Sequence, residues 1–187
     1  MSTKTFSVRG LLGASAVGAA ALASAFALTV ASPAAASRHA VAASAPICLS
    51  STLVVWLNTQ GNGAAGSSYF NLEFTNLGAH ACTLLGYPGV SGVDLGGRQL
   101  GSAASRDPVH RPVTVRSGAT VHAILRIVDA GNYPSSTCAQ TTAAGLRVYP
   151  PGQTASKLVP YPFAACSRSG PTYLQVEAVQ PGFSATS

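Results

Sequence analysis

The stretch Tyr69–Val90, YFNLEFTNLGAHACTLLGYPGV, decides the fold. Its first residues alternate in character: Phe70, Leu72 and Phe74 are large and apolar, and most of the residues between them are polar. Successive side chains of a β-strand lie on opposite faces of a sheet, so this alternation predicts a half-buried strand. We therefore expect other strands to be arranged around this one.

The same stretch ends in a corner, Gly86-Tyr87-Pro88-Gly89. Proline restricts φ and lacks a backbone donor, while glycine accepts positive φ, so these residues predict a turn. Tyr87 has two interpretations: an aromatic side chain packed on the core, which is the commoner role, or an exposed side chain that binds a ligand. Just before the corner, Cys82–Leu85 predicts a short strand, which follows the first at the spacing of a hairpin loop.

Similar signals recur along the chain. Alternation predicts strands at residues 120–128 and 173–179, and Gly96-Gly97 predicts a tight hairpin. The apolar run Leu53–Leu57 predicts a buried strand in which Trp56 anchors the core. Short strands separated by turn residues predict an all-β antiparallel sandwich or barrel.

Three stretches lack a clear strand pattern. Asn58–Ser68 is rich in glycine and predicts a loop, and it has neither the lysine nor the following helix that a phosphate-binding loop needs. Residues 153–170 are a long proline-containing segment that holds Cys166, and no strand is assigned there. Thr141–Gly145 has the one helical tendency in the chain.

Residues 1–36 are typical of a secretory signal peptide. Lys4 and Arg9 precede an apolar run, and we predict cleavage after Ala36. The alternative is a retained anchor, and an uncleaved segment is the one membrane contact that we expect. We interpret residues 37–46 as an Ala/Ser-rich tether and residues 47–187 as a single domain, in a protein that is secreted or extracellular, with cell-wall association as an open alternative.

The charge balance is basic, at +6 for the whole chain. Five arginines fall in one stretch with Asp107 as its one acid: Arg98, Arg106, Arg111, Arg116 and Arg126. They are either scattered solvated side chains or a patch for anionic polymers of the cell envelope. No Lys/Arg run with interleaved aromatics occurs, so nucleic acid is not an expected partner. We expect a monomer whose partner is an unidentified envelope polymer or protein.

Four cysteines follow the predicted signal peptide: Cys48, Cys82, Cys138 and Cys166. An even number of cysteines in an exported chain predicts two disulfides. Three pairings are possible, and we favour the sequential one, Cys48–Cys82 and Cys138–Cys166. Their spacing does not match a zinc site, and we expect neither a metal nor another cofactor.

The sequence contains no recognisable catalytic constellation. It has no Gly-x-Ser-x-Gly motif, and its histidines occur outside any motif, at His39, His80, His110 and His122. Glu73 and Glu177 are expected on outward strand faces, exposed to solvent. We predict a non-catalytic binding or interaction module. The alternative is a secreted metal-binding or hydrolytic protein that uses loop histidines.

Several of these features together resemble one family. The order of Cys48, the Gly63–Ser67 loop, Ala81–Leu84, the Gly86–Val90 corner and the Pro150-Pro151 pair is similar to the domain-of-unknown-function 4232 family. The resemblance implies a secreted or membrane-tethered envelope protein of actinobacteria with an immunoglobulin-like β-sandwich, and it brings no reaction, ligand or site residue. Cys48 and Cys82 are too close in sequence for the bridge of a true immunoglobulin domain, so we expect the bridges to pin loops or edges.

Overall fold

The computed structural model describes residues 45–106 and 111–183. Within these ranges the chain is built mainly of strands: β1 (Leu53–Ala64), β2 (Ser67–Asn76), β3 (Cys82–Leu85), β4 (Gly89–Val93), β5 (Gln99–Leu100), β6 (Ser105–Arg106), β7 (Pro112–Val115), β8 (Thr120–Val128), β9 (Gln140–Tyr149), β10 (Lys157–Cys166) and β11 (Leu174–Val176). The connections contain one helical turn, α1 (Ser135–Cys138), and two 3₁₀ turns, Ser50–Thr52 and Ala130–Asn132. No helix in the described ranges is long and apolar enough to cross a membrane. The predicted signal peptide and residues 37–44 of the predicted tether lie outside the described residues.

The strands form two main layers. One sheet has the order β1-β2-β8-β11-β6, and the other has the order β10-β9-β4-β5. Neighbouring strands in both sheets are antiparallel, apart from the short parallel pair of β6 and β11. The expected all-β antiparallel sandwich is therefore confirmed.

The core begins at β2, which pairs with β1 on one side and β8 on the other. The predicted inward side chains of β2 are buried, with Leu72 and Phe74 fully inaccessible to solvent. On β8, Ala123 and Leu125 are equally inaccessible. Alternation in both strands thus produces one continuous apolar face, and removing this face from water is the main force that stabilises the fold.

The second sheet supplies the facing half of the core. Leu146 and Val148 of β9 are fully buried, and Val90 of β4 and Val159 of β10 join the same apolar cluster. The ring of Phe70 meets the ring of Tyr161 edge-on at a centroid distance of 5.1 Å, so the two layers touch where β2 faces β10.

Both predicted disulfides form with the favoured sequential pairing. Cys48 joins Cys82 at the start of β3, beside the parallel bridge between Ile47 and Thr83. Cys138 at the end of α1 joins Cys166, which pairs with Gln140 of β9. Each bridge links segments that are already neighbours, as expected for bridges that pin loops or edges.

The spacing of β2 and β3 suggested a hairpin between them. Instead, β3 pairs with β7 in a two-stranded sheet. The side chain of Asn76 ends β2 and explains the change. Its Nδ2 donates to the carbonyl oxygens of His80 (2.9 Å) and Val115 (3.0 Å). Its Oδ1 accepts from the backbone N–H of Gly78, so this one side chain holds the turn that leads the chain away from β2.

The glycine-rich stretch Asn58–Ser68 is not a loop, contrary to prediction. β1 runs to Ala64 and β2 starts at Ser67, so the connection is the pair Ala65 and Gly66, with φ of 44° and 75°. Positive φ at both positions is typical of the tight turn that matches the twist of a hairpin. A side chain on Gly61 would collide with Tyr69 and Phe70, so the small residues allow β1 and β2 to approach closely.

Two further predictions about secondary structure are wrong. Thr141–Gly145 lies within β9, between β10 and β4, because tertiary pairing overrides a weak helical tendency. The segment 153–170 contains β10, which pairs with β9. Its prolines, Pro160 and Pro162, are tolerated because β10 is an edge strand and needs backbone hydrogen bonds on one side only.

The outer face of the five-stranded sheet corrects two side-chain predictions. Trp56 is not a core anchor; it is half-buried on the outer face, with its ring 6.1 Å from the ring of Phe183. Glu73, predicted to be exposed, has no solvent-accessible surface. It lies in register between Trp56 and His122. Residues 182 and 183 contact both neighbours: the ring of Phe183 lies near that of Trp56, and the carbonyl oxygen of Gly182 lies 2.8 Å from His122 Nδ1.

Candidate ligand-binding surface

The five arginines singled out in the sequence do not form one patch. Arg98 lies in the β4–β5 turn and forms an ion pair with Asp94, with Nε 2.8 Å from Oδ2. The backbone N–H of Arg98 also bonds to this carboxyl, and this bond is the main reason that the pKa of Asp94 is lowered. Arg111 and Arg116 are exposed at the two ends of β7.

Arg106 and Arg126 are the two that come together. Arg126 lies on the outer face of β8, and Arg106 on β6 at the edge of the same sheet. Both line an open cavity of about 450 Å³ on the outer face, which we call the Arg126 cavity. Tyr69, Gln175 and Glu177 also line it.

The guanidinium of Arg126 is held by neutral groups. Its Nε donates to Ser67 Oγ and its Nη1 to Gln175 Oε1, each at 3.0 Å. Its Cζ lies 5.8 Å from the centroid of the Tyr69 ring, a distance at which a cation and an aromatic face attract one another. A guanidinium has five N–H donors, so donors remain for a ligand in the cavity.

Arg106 is exposed, and its side chain extends from β6 towards the four-stranded sheet. A Cβ atom on Gly89 of β4 would lie 3.6 Å from its Nη2 and 3.4 Å from the Cβ of Tyr149. Among the described residues, the guanidinium of Arg106 forms neither an ion pair nor a hydrogen bond.

Arg106 also lines a second open cavity of about 490 Å³, which we call the Tyr149 cavity. Its walls include Tyr87, Tyr149, Pro150 and Gln153. Tyr87, predicted to be either a core or a binding residue, is half-buried in this wall, and its position beside Arg106 is compatible with the binding interpretation. The two cavities share Arg106.

The charges around the Arg126 cavity favour an anion. Two arginines line it, and Glu177 is the one acidic residue among its described walls; the Glu177 Oε2 accepts a 3.0 Å hydrogen bond from Gln180 Nε2. The strand pairing places Arg126 between Tyr69 and Gln175. Outward alternation in β2 and in residues 173–179 could have identified Tyr69 and Gln175 from the sequence, whereas nothing local singles out Tyr149.

A third cavity of about 410 Å³ lies between the tip of the β1–β2 hairpin and β10. Its walls include Phe70, Tyr161, Phe163 and the carboxylate of Asp129. Its described walls include neither an arginine nor a lysine, unlike those of the other two cavities.

The histidines do not assemble into a site in the described part of the chain. His80 is exposed in the turn after β2, and the Nδ1 of His122 is engaged by the carbonyl oxygen of Gly182. Between residues 45 and 106 and between 111 and 183, no three or more His, Cys, Asp or Glu side chains are grouped so as to hold a metal ion. His39 and His110 lie outside the described residues.

Comparison with known proteins gives one match. The profile of the family described as Domain of unknown function (DUF4232) matches residues 48–180, which include all the strands described above. Neither the curated proteins nor the solved structures give a match. Since the matched region is most of the sequence, the chain belongs to the DUF4232 family.

Proposed function

We propose that this protein is an exported, non-catalytic β-sandwich that binds an anionic polymer of the cell envelope at the Arg126 cavity. One observation supports this most strongly: Arg106 and Arg126 line the same open cavity, and neither has a carboxylate partner among the described residues. Two arginines that outnumber the one described acidic residue of the cavity attract an anion, and their guanidinium groups can donate charge-assisted hydrogen bonds to it.

Export is supported by two independent features. Residues 1–36 have the pattern of a signal peptide, and the chain has two disulfides, which persist mainly in oxidising compartments outside the cytosol. The actinobacterial cell envelope is the setting that the family resemblance implies. We place the protein there, acting as a monomer.

A binding role fits the shape of the surface as well as its charge. The Arg126 cavity lies on the outer face of a sheet, and its side chains are fixed by strand pairing and by the hydrogen bonds of Arg126. A preformed surface loses little conformational entropy when a ligand binds. Among the described residues, the histidine-based alternative, a metal-binding or hydrolytic protein, has no comparable grouping of side chains in its favour.

The test compares two arginine variants that change net charge equally. Arg106→Gln removes a cation from the cavity, and Arg116→Gln removes an exposed arginine outside it. We expect R106Q to weaken binding to purified envelope polymer about tenfold at low salt, because a hydrogen bond to a charged group is lost. We expect R116Q to bind nearly as the parent chain does.

Salt supplies the second measurement. At about 1 M salt the screening length falls to about 3 Å, so polymer binding by the parent chain should be largely lost. Equal binding by R106Q and R116Q, or binding that does not respond to salt, would contradict the proposal.

A further inference from the structure

We propose that the ligand is an acidic polysaccharide, with one acid group bound by Arg106 and an adjacent sugar ring seated against Tyr149. This inference rests on the proposed function, and it adds the class of polymer and the second contact. The feature that supports it is the shared position of Arg106, which lines the Arg126 cavity and the Tyr149 cavity at once.

The position of Arg106 favours an extended ligand. A compact anion would occupy one cavity and leave the other empty, whereas a chain can pass over Arg106 and enter both. Each cavity, at about 450 and 490 Å³, is within the size range of small-ligand pockets. We infer that consecutive units of one polymer occupy the two cavities.

The Tyr149 cavity differs from its neighbour in chemistry. Its walls include two aromatic side chains, Tyr87 and Tyr149, together with Pro150 and the amide of Gln153. Tyr149 is half-buried on the outer face of β9, opposite Gly89 of β4. Since Gly89 has no side chain, the Cδ2 edge of the Tyr149 ring and the Nη2 of Arg106 both border the space that a Cβ atom would fill there, at 3.5 and 3.6 Å from it.

A sugar ring suits this combination of groups. The negative face of an aromatic ring attracts the C–H groups on the apolar face of a pyranose. The Gln153 Oε1 accepts from the Ser50 backbone N–H and its Nε2 donates to the Gly152 carbonyl oxygen, so a second N–H of this amide remains for a hydroxyl group. In the other cavity, Gln175 and Glu177 provide further partners for hydroxyl groups. A polyanion without rings would use the two arginines and gain nothing from Tyr149.

Two polymers separate these possibilities: polygalacturonate, which has a carboxylate on each sugar ring, and polyglycerol phosphate, which has repeated anions and no ring. We expect the parent chain to bind polygalacturonate about fivefold or more tightly than polyglycerol phosphate, because the aromatic contact is available only to the first. Fluorescence anisotropy of labelled polymers at matched salt and charge concentration measures both affinities.

The variants Tyr149→Phe and Tyr149→Leu test the contact itself. Phe keeps the ring and should keep the preference, while Leu removes the ring and should make the two affinities equal. Because Leu at this position could disturb β9, NMR shifts of the Tyr149 ring in the unaltered chain on adding trigalacturonate provide a second measurement.

Each outcome bears on a definite claim. If both polymers bind equally, R106Q weakens both and Tyr149→Leu has no effect, the polysaccharide assignment is wrong and the proposed function stands. If neither polymer binds, both are wrong. Single-stranded DNA that binds as tightly as polygalacturonate and depends equally on the ring would also overturn the assignment.

Discussion

The hydroxyl of Tyr173 donates a 2.7 Å hydrogen bond to the carbonyl oxygen of Leu100. Tyr173 directly precedes β11 of the five-stranded sheet, and Leu100 belongs to β5 of the four-stranded sheet, so this bond joins the two layers. Tyr173 is fully buried, and a Cβ atom on Gly92 would lie 2.7 Å from its hydroxyl oxygen. At this position the sandwich is held by a specific polar contact within an apolar core.

Removing the hydroxyl should destabilise the fold. We expect Tyr173→Phe to lower the free energy of unfolding by about 1–2 kcal/mol, since a buried hydrogen bond is lost and its partner is left less satisfied. Tyr133→Phe is the matched control, because the Tyr133 hydroxyl makes an exposed 2.9 Å hydrogen bond to the carbonyl oxygen of Thr172. Urea denaturation measures both; a loss as large in the control as in Tyr173→Phe would contradict the role of burial.

The alkaline limit of stability should depend on the same residue. Burial raises the pKa of Tyr173 from an ordinary value of 10.0 to about 12. The neutral phenol is favoured in the folded state, so its contribution is complete below pH 10 and is lost as the pH rises through about 12. Tyrosinate absorbance and urea midpoints, measured in the parent chain and in Tyr173→Phe, should differ in this range. Identical alkaline profiles would show that Tyr173 does not titrate in this way.

The packing around Tyr173 should not tolerate a side chain at Gly101. Its φ is +58°, and a Cβ atom there would lie 2.6 Å from the carbonyl oxygen of Cys166 and 2.9 Å from the Tyr173 ring. We expect Gly101→Ala to cost about 3 kcal/mol or more, from backbone strain and overpacking together.

Gly118→Ala isolates the steric part of that cost. Gly118 also has a positive φ, +74°, but a Cβ atom there would meet nothing within 4 Å. We expect it to cost about 1 kcal/mol from backbone strain alone. Equal losses in the two variants, measured by denaturant unfolding, would show that contact with the Tyr173 ring does not matter.

The two disulfides should contribute nearly equally. Their cysteines are separated by 34 and 28 residues, so in the chain-entropy model each bridge contributes about 3–4 kcal/mol, and the two differ by only about 0.2 kcal/mol. Replacing each pair by serine in turn and measuring unfolding in urea tests this. A loss well below 1 kcal/mol for either pair would indicate that the reduced unfolded chain is already restricted there.

The candidate surface could be predicted only in part. The sequence identifies Arg106, Arg126 and Tyr87 as candidates, but it ranks them no higher than Arg98, Arg111 and Arg116. Arg98 is engaged by Asp94, and Arg106 reaches the cavity because β6 pairs with β11. A two-residue strand such as β6 is too short to show a periodicity in the sequence.

By itself, the sequence determined the layered antiparallel architecture, the inward faces of β2 and β8, and the two covalent bridges. These follow from alternation within a strand and from an even cysteine count, which are local or covalent properties. Tertiary structure alone decided which outward faces are covered and which cations meet. Glu73 and Arg126 both alternate outward. Glu73 is nevertheless fully buried, beside His122, which is contacted by Gly182, while Arg126 lines an open cavity. The difference is made by segments that arrive from distant parts of the chain, and the pattern within a strand contains no record of them.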